Sequence, residues 1–200
     1  MRKQFSYAID KYRSALPCLK LQKITLNVVV HEMKPLESTY EIIAWKHLNQ
    51  NVDEKWSNWA IDMMMVGYET EHLIELAGIE KPYNQFELKE LTDKVFEELN
   101  LDYTNQDKVV IDYVRYLAME VLNENRELLK TLREIKDLCI ALDYDSKIYD
   151  FYSLYFAKED LKYDTVQWYW VGADRSNIDK ICIDYLKKWI NENPIIEYGS

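Results

Sequence analysis

The three histidines of this chain are its first candidates for metal or acid–base chemistry. His31-Glu32 begins like the helical zinc-protease motif, but that motif needs a second histidine four residues after the first, where this chain has proline. Glu69 and His72 have the spacing of one half of a di-iron carboxylate site, which requires a second such pair on a facing helix. The remaining histidine, His47, has no acidic residue three positions before it. The sequence therefore predicts no metal site and no catalytic histidine.

Two other patterns that carry chemistry are also incomplete. Asp143-x-Asp145 followed by Asp150 begins like a calcium-binding loop, but it lacks the central glycine, and Leu154 occupies the twelfth position, where a glutamate is needed. The four glycines are too dispersed to form a phosphate-binding loop. We therefore predict no cofactor and no catalytic residue, while a catalytic constellation assembled only in space stays open.

The charge of the chain is acidic and unevenly distributed. A net charge of −10 and a pI near 4.9 argue against direct binding to nucleic acid or to an anionic membrane, because either requires a cationic surface. Residues 1–35 carry seven basic and two acidic residues, a net +5, whereas residues 36–200 carry 18 basic and 33 acidic residues, a net −15. We expect a slightly basic N-terminal arm and an acidic body that suits a basic protein partner, with simple solubility as the alternative explanation.

Length and composition predict one globular domain covering residues 1–200, with 48% hydrophobic and 30% charged residues. The apolar runs are far shorter than the ~20 residues that cross a membrane, and the start lacks the apolar stretch of a secretory signal. The three cysteines are odd in number and lie among apolar neighbours, which indicates reduced, buried thiols. These features predict a cytoplasmic protein without a membrane segment.

Apolar residues recur at helical spacing along most of the chain, which predicts eight or nine helices. Asp53, Thr70 and Asn84 are expected to cap three of them, and further helices are predicted from Ser146 to Ala157 and from Ser176 onwards. Short connections between helices favour sequential antiparallel packing. The predicted fold is all-α, an irregular antiparallel multi-helix array.

Two segments depart from this helical pattern. Residues 20–32 alternate like a strand but also match helical spacing, and helix is favoured because a lone strand would have no partner. Near residues 163–172 the side chains of Val166, Trp168 and Trp170 alternate with their neighbours. We therefore expect an extended or strand-like segment there, or a loop pinned by two indoles, with a turn at Gly172.

The chain is rich in aromatic residues, with 16 Tyr and six Trp, and many of the tyrosines lie beside aspartates. Tyr and Trp are enriched at binding hot spots because they bury a large area with few rotatable bonds, and adjacent carboxylates would meet Lys and Arg of a basic partner. The alternative is that these tyrosines line the edge of the core with their hydroxyls in water. The predicted partner-binding residues are Asp143, Tyr144, Asp145, Asp160, Tyr163, Asp164, Trp168, Trp170 and Asp174.

Two blocks of the sequence resemble a pattern found in small acidic all-helical bacterial proteins without an established activity. The first runs from Trp59-Ala60 to Glu98-Leu99, and the second runs from Leu154-Tyr155 to Ile178-Asp179 and includes Gln167-Trp168-Tyr169-Trp170. The resemblance implies a shared helical fold and the role of an immunity partner of a bacterial toxin. It assigns no functional residue.

The expected function is therefore protein binding, by an immunity-type protein that covers the active site of a cognate toxin, a basic nuclease. An acidic body would steer association with a cationic nuclease, and desolvated Tyr and Trp anchors would slow dissociation. One alternative is a small enzyme with a carboxylate and tyrosine pocket, which a perturbed carboxylate or His47 would favour. The other is a regulatory or scaffold module with an exposed apolar patch, for which Met63, Met64 and Met65 are candidates. The oligomeric state stays open.

Overall fold

A computed structural model describes residues 36–195, and over this range the protein is all-helical, with eight α-helices and no strand. The helices are α1 Thr39–His47, α2 Glu54–Met65, α3 Glu71–Ala77, α4 Gln85–Glu98, α5 Gln106–Leu122, α6 Leu128–Ala141, α7 Tyr149–Tyr163 and α8 Ile178–Glu192. The predicted all-α class is confirmed, whereas the antiparallel sense of the packing stays a prediction. The predictions for residues 20–32 and for the basic arm lie outside the described residues. None of the eight helices combines the length and the apolarity that crossing a lipid bilayer requires.

The described residues form two compact units. One is Asn51–Leu101, which contains α2, α3 and α4, and the other comprises Glu37–Gln50 and residues 102–195, which contain the remaining helices. A packing unit is not by itself a test of independent folding, so the single domain over residues 1–200 stays a prediction.

In the unit Asn51–Leu101, two helices begin at the predicted caps. An Oδ1 atom of Asp53 accepts a hydrogen bond from the Lys55 backbone at 3.0 Å, and that of Asn84 accepts one from the Phe86 backbone at 3.2 Å. Thr70 occupies the N-cap position of α3 without such a bond. The large buried side chains of this unit are Trp56, Trp59, Met63, Leu73, Leu76, Leu88, Leu91, Val95 and Phe96.

The consecutive methionines of α2 do not form one exposed apolar patch. Met63 is fully buried, whereas Met65 is 78% exposed, because a helix turns successive side chains in different directions. Gly67 follows with a φ of 105°, in the left-handed region that ends many helices. The exposed apolar patch expected of a regulatory or scaffold module is therefore not formed by these methionines.

The larger unit is organised around α5. This helix packs against α1, α6 and α8, and α7 packs against both α6 and α8. The apolar residues of α5 at helical spacing, which predict a core-facing stripe, are all buried: Val110, Tyr113, Val114, Leu117 and Val121. Cys139 and Cys182 are free and buried, as expected for reduced thiols, and burial raises the pKa of Cys182 to about 12. Cys18 lies outside the described range.

The start of α7 differs from its prediction. The helix was expected over Ser146–Ala157 but extends over Tyr149–Tyr163. Before it, Oδ1 of Asp145 accepts a hydrogen bond from the Lys147 backbone at 2.8 Å, which forms a separate turn. The later start and end place Tyr163 in the last turn of the helix.

The region after α7 also requires correction. Residues 164–172 form bends and turns, not an extended or strand-like segment, and Gly172 makes the expected turn with a φ of 79°. The last helix begins at Ile178 and not at Ser176, because Ser176 donates from both its backbone and its hydroxyl to Asp174. Side-chain hydrogen bonds within the connection thus override the local alternation of the sequence.

Candidate protein-binding surface

The connection between α7 and α8, residues 164–177 and called the Trp168 loop below, is fixed by one amide side chain. Oε1 of Gln167 accepts hydrogen bonds from the backbone N–H groups of Tyr169 and Trp170, both at 2.8 Å. Nε2 of Gln167 donates to the carbonyl oxygens of Trp170 at 2.5 Å and Ala173 at 3.1 Å. Gln167 therefore pairs with backbone N–H and C=O groups that would pair with each other in a helix or a sheet.

The ends of the Trp168 loop are held in a similar way. Nε of Arg175 donates to the carbonyl oxygens of Leu161 at 2.8 Å and Asp164 at 2.9 Å. Oδ1 of Asp174 accepts from the Ser176 hydroxyl at 2.6 Å and from the Ser176 backbone at 2.7 Å. These hydrogen bonds hold the pKa of Asp174 below its ordinary value. The loop thus has a defined shape without helix or strand.

On this fixed backbone, two apolar side chains of the loop are almost completely exposed to solvent. Trp168 is 90% exposed and Val171 is fully exposed. Trp170 instead points toward the core, where its ring lies 5.5 Å from that of Tyr185 in an edge-on contact. The Trp170 indole therefore anchors the loop to the core, whereas the Trp168 indole is exposed to solvent.

A row of aromatic rings leads from the end of α6 to this loop. The members of this aromatic ridge are Tyr144, Tyr149, Tyr152, Phe156 and Tyr169. The ring centroid of Tyr152 lies 5.7 Å from Tyr144, 5.4 Å from Tyr149 and 4.8 Å from Phe156, and the Phe156 ring stacks on Tyr169 at 5.1 Å. Tyr144 and Tyr149 remain 49% and 43% exposed. Trp168 directly precedes Tyr169, a member of the ridge, in the chain, and the ridge and Trp168 are together called the aromatic surface below.

Helical spacing explains most of the ridge. Tyr149, Tyr152 and Phe156 lie three and four residues apart on one face of α7, while Phe151 and Leu154 are fully buried on another. An α-helix that is apolar on two faces has one face left over after the core is filled. In α7 the second face is the aromatic ridge, whose Tyr152 and Phe156 are partly buried against the core and whose Tyr149 is 43% exposed.

Backbone conformation explains the position of Tyr144. Asp143 and Tyr144 have φ values of 52° and 62°, both in the left-handed region that ends α6. The Tyr144 N–H donates to the carbonyl oxygen of Cys139 at 2.8 Å. This reversal brings the Tyr144 ring against Tyr152.

The ridge is neutral but lies in acidic surroundings. Burial, and then the proximity of Tyr144 and the other ridge tyrosines, raises the pKa of Tyr152, so its hydroxyl stays protonated at neutral pH. The carboxylate of Asp143 is exposed and forms no hydrogen bond or ion pair with residues 36–195. From Asp143 to Asp174 the chain has seven acidic and three basic residues, a net −4. The surface therefore favours a cationic partner.

The structure uses several of the predicted binding residues for local folding. Oδ1 of Asp145 accepts from the Lys147 backbone, Oδ1 of Asp164 accepts from the Thr165 backbone at 2.6 Å, and Asp174 accepts from Ser176. Hydrogen bonds to neighbouring residues of the chain therefore account for these three aspartates without a binding partner.

The remaining predicted residues are distributed differently. Tyr144 and Trp168 belong to the exposed aromatic surface, whereas Trp170 packs toward the core. Tyr163, at the end of α7, is 81% exposed and no ring contact joins it to the ridge, and Asp160 is half-buried in the same helix. Sequence reasoning missed Tyr149, Tyr152, Phe156, Tyr169 and Val171, of which the first three were detectable from their spacing on α7.

A second cluster of tyrosines and carboxylates lies inside the larger unit and is called the Arg126 brace below. Its members are Glu41, Tyr113, Tyr116, Arg126 and Glu134. The Arg126 guanidinium binds Glu41 at 2.7 Å and Glu134 at 3.0 Å, and it lies 5.6 Å from the Tyr116 ring centroid. The Tyr113 hydroxyl donates to Glu134. The brace ties α1, α5 and α6 together.

Among the described residues, the brace is the side-chain cluster that most resembles the carboxylate and tyrosine pocket expected of an enzyme. However, its hydroxyl, carboxylate and guanidinium groups bind one another. Burial, and then the charge of Glu134, raises the pKa of Tyr113, so the hydroxyl remains a donor. Burial works to lower the pKa of Arg126, but the hydrogen bond to Glu41 and the charges of both carboxylates raise it. A fixed cation between two carboxylates is a structural arrangement.

The described histidines also have structural partners. Nδ1 of His47 donates to the carbonyl oxygen of Tyr103 at 2.8 Å, and Nδ1 of His72 lies 2.6 Å from Oε1 of Glu98. Between residues 36 and 195, no group of three or more His, Cys, Asp or Glu side chains is arranged to hold a metal ion.

Comparison with family models, with curated proteins and with solved structures finds no match to this chain. The resemblance to small bacterial immunity proteins therefore stays a prediction.

Proposed function

We propose that this chain is a protein-binding module that recognises a basic protein through the Trp168 loop and the aromatic ridge. The observation that carries the proposal is the exposure of Trp168 and Val171 on a loop whose polar side chains are engaged in fixing its own backbone. An ordered backbone that presents large apolar side chains to water matches the anatomy of a binding hot spot.

Two physical properties support binding at this surface. The loop is already ordered, so association does not have to pay for ordering it, and Trp and Tyr add contact area with few rotatable bonds. The net charge of −10 accelerates encounter with a cationic partner and disfavours an acidic one. The aromatic surface thus supplies affinity and the acidic body supplies steering.

The narrower form of this proposal is an immunity-type protein of the cytoplasm that neutralises a toxin, a basic nuclease, by covering its active site. The acidic, exposed surface supports a basic partner, and the resemblance of the two sequence blocks supports the immunity role. In this form Trp168 and Tyr144 contact the toxin, and Asp143 faces its cationic residues.

The test begins with capture of partners by the tagged chain from its native cytoplasm at low and high salt. The captured protein is then purified and its Kd is measured with Trp168→Ala and with Phe86→Ala. Phe86 is a matched control, because it is 75% exposed but lies in the unit Asn51–Leu101. We expect Trp168→Ala to weaken binding about 30-fold, as for a typical hot spot, and Phe86→Ala to have no effect.

Two results would contradict the proposal. One is equal affinity of the Trp168→Ala variant and the native chain for the captured protein. The other is a partner whose surface is acidic. For the narrower form, inhibition of the partner's nuclease activity is measured, and a bound partner that stays active argues against neutralisation.

A further inference from the structure

In the middle of α7, beside the aromatic ridge, cations of the chain itself cover the ring of Tyr155. The ring centroids of Tyr155 and Phe156 lie 5.1 Å apart, and Tyr155 is 8% exposed. The Arg133 guanidinium lies 5.7 Å from the Tyr155 ring centroid, and its Nε donates to the Tyr155 hydroxyl at 3.2 Å. Nζ of Lys136 lies 5.2 Å from the same centroid. Tyr155 therefore binds an arginine through both its ring and its hydroxyl.

At the N-terminal end of α7, the ridge ends in exposed tyrosines that no such cation of the described residues covers. No Lys or Arg of residues 36–195 lies over the rings of Tyr144, Tyr149 or Tyr152, and the hydroxyls of these tyrosines form no hydrogen bond within that range. The Tyr144 and Tyr149 rings lie 6.5 Å apart with their planes inclined by 58°. The carboxylate of Asp143, next to Tyr144, is also without a partner among these residues.

Arginine fits this set of groups better than the other cationic side chain. Its guanidinium is planar and weakly hydrated, so it stacks on aromatic rings, and its fork of donors matches a carboxylate. Lysine is a strongly hydrated point charge that gains less from ring contact. The net −4 of the segment from Asp143 to Asp174 adds a field that attracts either cation.

We propose that the open end of the ridge, formed by Tyr144, Tyr149 and Asp143, is a docking site for arginine side chains of a basic protein partner. This inference rests on the proposed protein-binding function and adds the chemistry of the contact. The arginine lies over the exposed tyrosine rings as Arg133 lies over the Tyr155 ring, and it donates to the Asp143 carboxylate.

The proposal is tested on the full chain with two probes of equal charge, a nine-arginine peptide and a nine-lysine peptide. Their Kd values are measured by calorimetry, and the aromatic NMR signals of the tyrosines identify the contacted rings. We expect the arginine peptide to bind about two- to five-fold more tightly than the lysine peptide, as for exposed cation–π contacts. Tyr144→Leu combined with Tyr149→Leu abolishes this preference, and Tyr149→Phe retains it.

Tyr163→Leu is the matched control, because Tyr163 is exposed in the same acidic segment but outside the ridge. The single variant Tyr149→Leu replaces the double variant if the latter lowers the thermal midpoint. Equal affinity for the two peptides, absence of binding by both, or a preference that survives in the Leu variants each overturns the proposal.

The peptide experiment is separate from the test of the proposed function. Trp168→Ala is expected to leave the arginine preference intact, because Trp168 is not part of the open end. If the arginine preference is absent but Trp168→Ala still weakens partner binding, the arginine site alone is rejected. If the preference is present but Trp168→Ala leaves partner binding unchanged, the role of the Trp168 loop alone is rejected.

Discussion

The Arg126 brace and the aromatic ridge both contain tyrosines close to acidic residues in the sequence or the fold but use these tyrosines in opposite ways. In the brace, the Tyr113 hydroxyl donates to Glu134, and the Tyr116 ring is covered by Arg126. In the ridge, the Tyr144 and Tyr149 rings are half exposed and their hydroxyls bind no residue of the range 36–195. A tyrosine near an acid is therefore a structural contact or a binding contact according to whether the fold already satisfies its ring and hydroxyl.

This comparison separates two kinds of mutational effect. Changes in the brace remove interactions that exist only in the folded chain, so they lower the free energy of unfolding. Changes at the exposed rings remove little from the fold, so their effect is confined to binding. Variants in the two clusters test this separation directly.

The largest effect is expected from Arg126→Ala. The substitution leaves Glu41 and Glu134 facing each other without their cation, and we expect the free energy of unfolding to fall by about 2 kcal/mol, between the values for exposed and buried pairs. Urea unfolding measures the change. Lys130→Ala, which removes only an exposed pair with Glu127, is the control and is expected to cost less than ~0.5 kcal/mol. Equal losses in the two variants would contradict the structural role of the brace.

The next effect concerns the rigidity of the loop that presents Trp168. Gln167→Glu keeps an acceptor for the Tyr169 and Trp170 N–H groups but removes the donor to Trp170 and Ala173. We expect hydrogen exchange in the loop to accelerate and partner affinity to fall about ten-fold, because the ordering cost is then met on binding. Unchanged exchange and affinity would show that the amide does not determine the loop shape.

A matched pair of hydroxyl deletions sharpens the comparison further. Tyr113→Phe removes a hydrogen bond to Glu134 within the brace, and we expect a loss of about 1 kcal/mol in unfolding free energy. Tyr149→Phe removes a hydroxyl without a partner in the described range, so its cost is expected to stay below ~0.5 kcal/mol. A reversed order in chemical denaturation would mean that the assignment of the two clusters is wrong.

The smallest effect is expected in acid. Because hydrogen bonds from Ser176 lower the pKa of Asp174 below 3.8, this group contributes stability above that pH, and the contribution is lost as pH falls through the folded-state value. Asp174→Asn keeps an acceptor but does not titrate there, so we expect a flatter decline of thermal stability below about pH 4. A parallel decline in both proteins would exclude this contribution.

Local signals in the sequence predicted most helices correctly, because caps and apolar stripes depend on neighbours within one or two turns. Asp53 and Asn84 cap their helices, and the stripe of α5 is buried. The brace was not predictable in this way, since Arg126 and Glu41 are 85 residues apart in sequence.

The positions of the predicted partner-binding residues followed from the sequence only in part, for a related physical reason. Alternation would place Trp168 and Trp170 on the same side of a strand, but the hydrogen bonds of Gln167 fold the backbone so that one indole is exposed and the other packs on Tyr185. Several predicted acids became acceptors for neighbouring backbone groups, as Asp164 does for Thr165. Side-chain hydrogen bonds of this kind join residues one to three positions apart and have no periodic signature in the sequence.

The framework of the Trp168 loop has a consequence for how recognition can diversify. Its shape depends on Gln167, Arg175 and Asp174, and none of the loop's hydrogen bonds uses the side chains of Trp168 or Val171. We therefore expect replacements at these two positions to change the exposed surface with little loss of fold stability. Under the proposed function, single substitutions there would alter partner specificity while the chain stays folded.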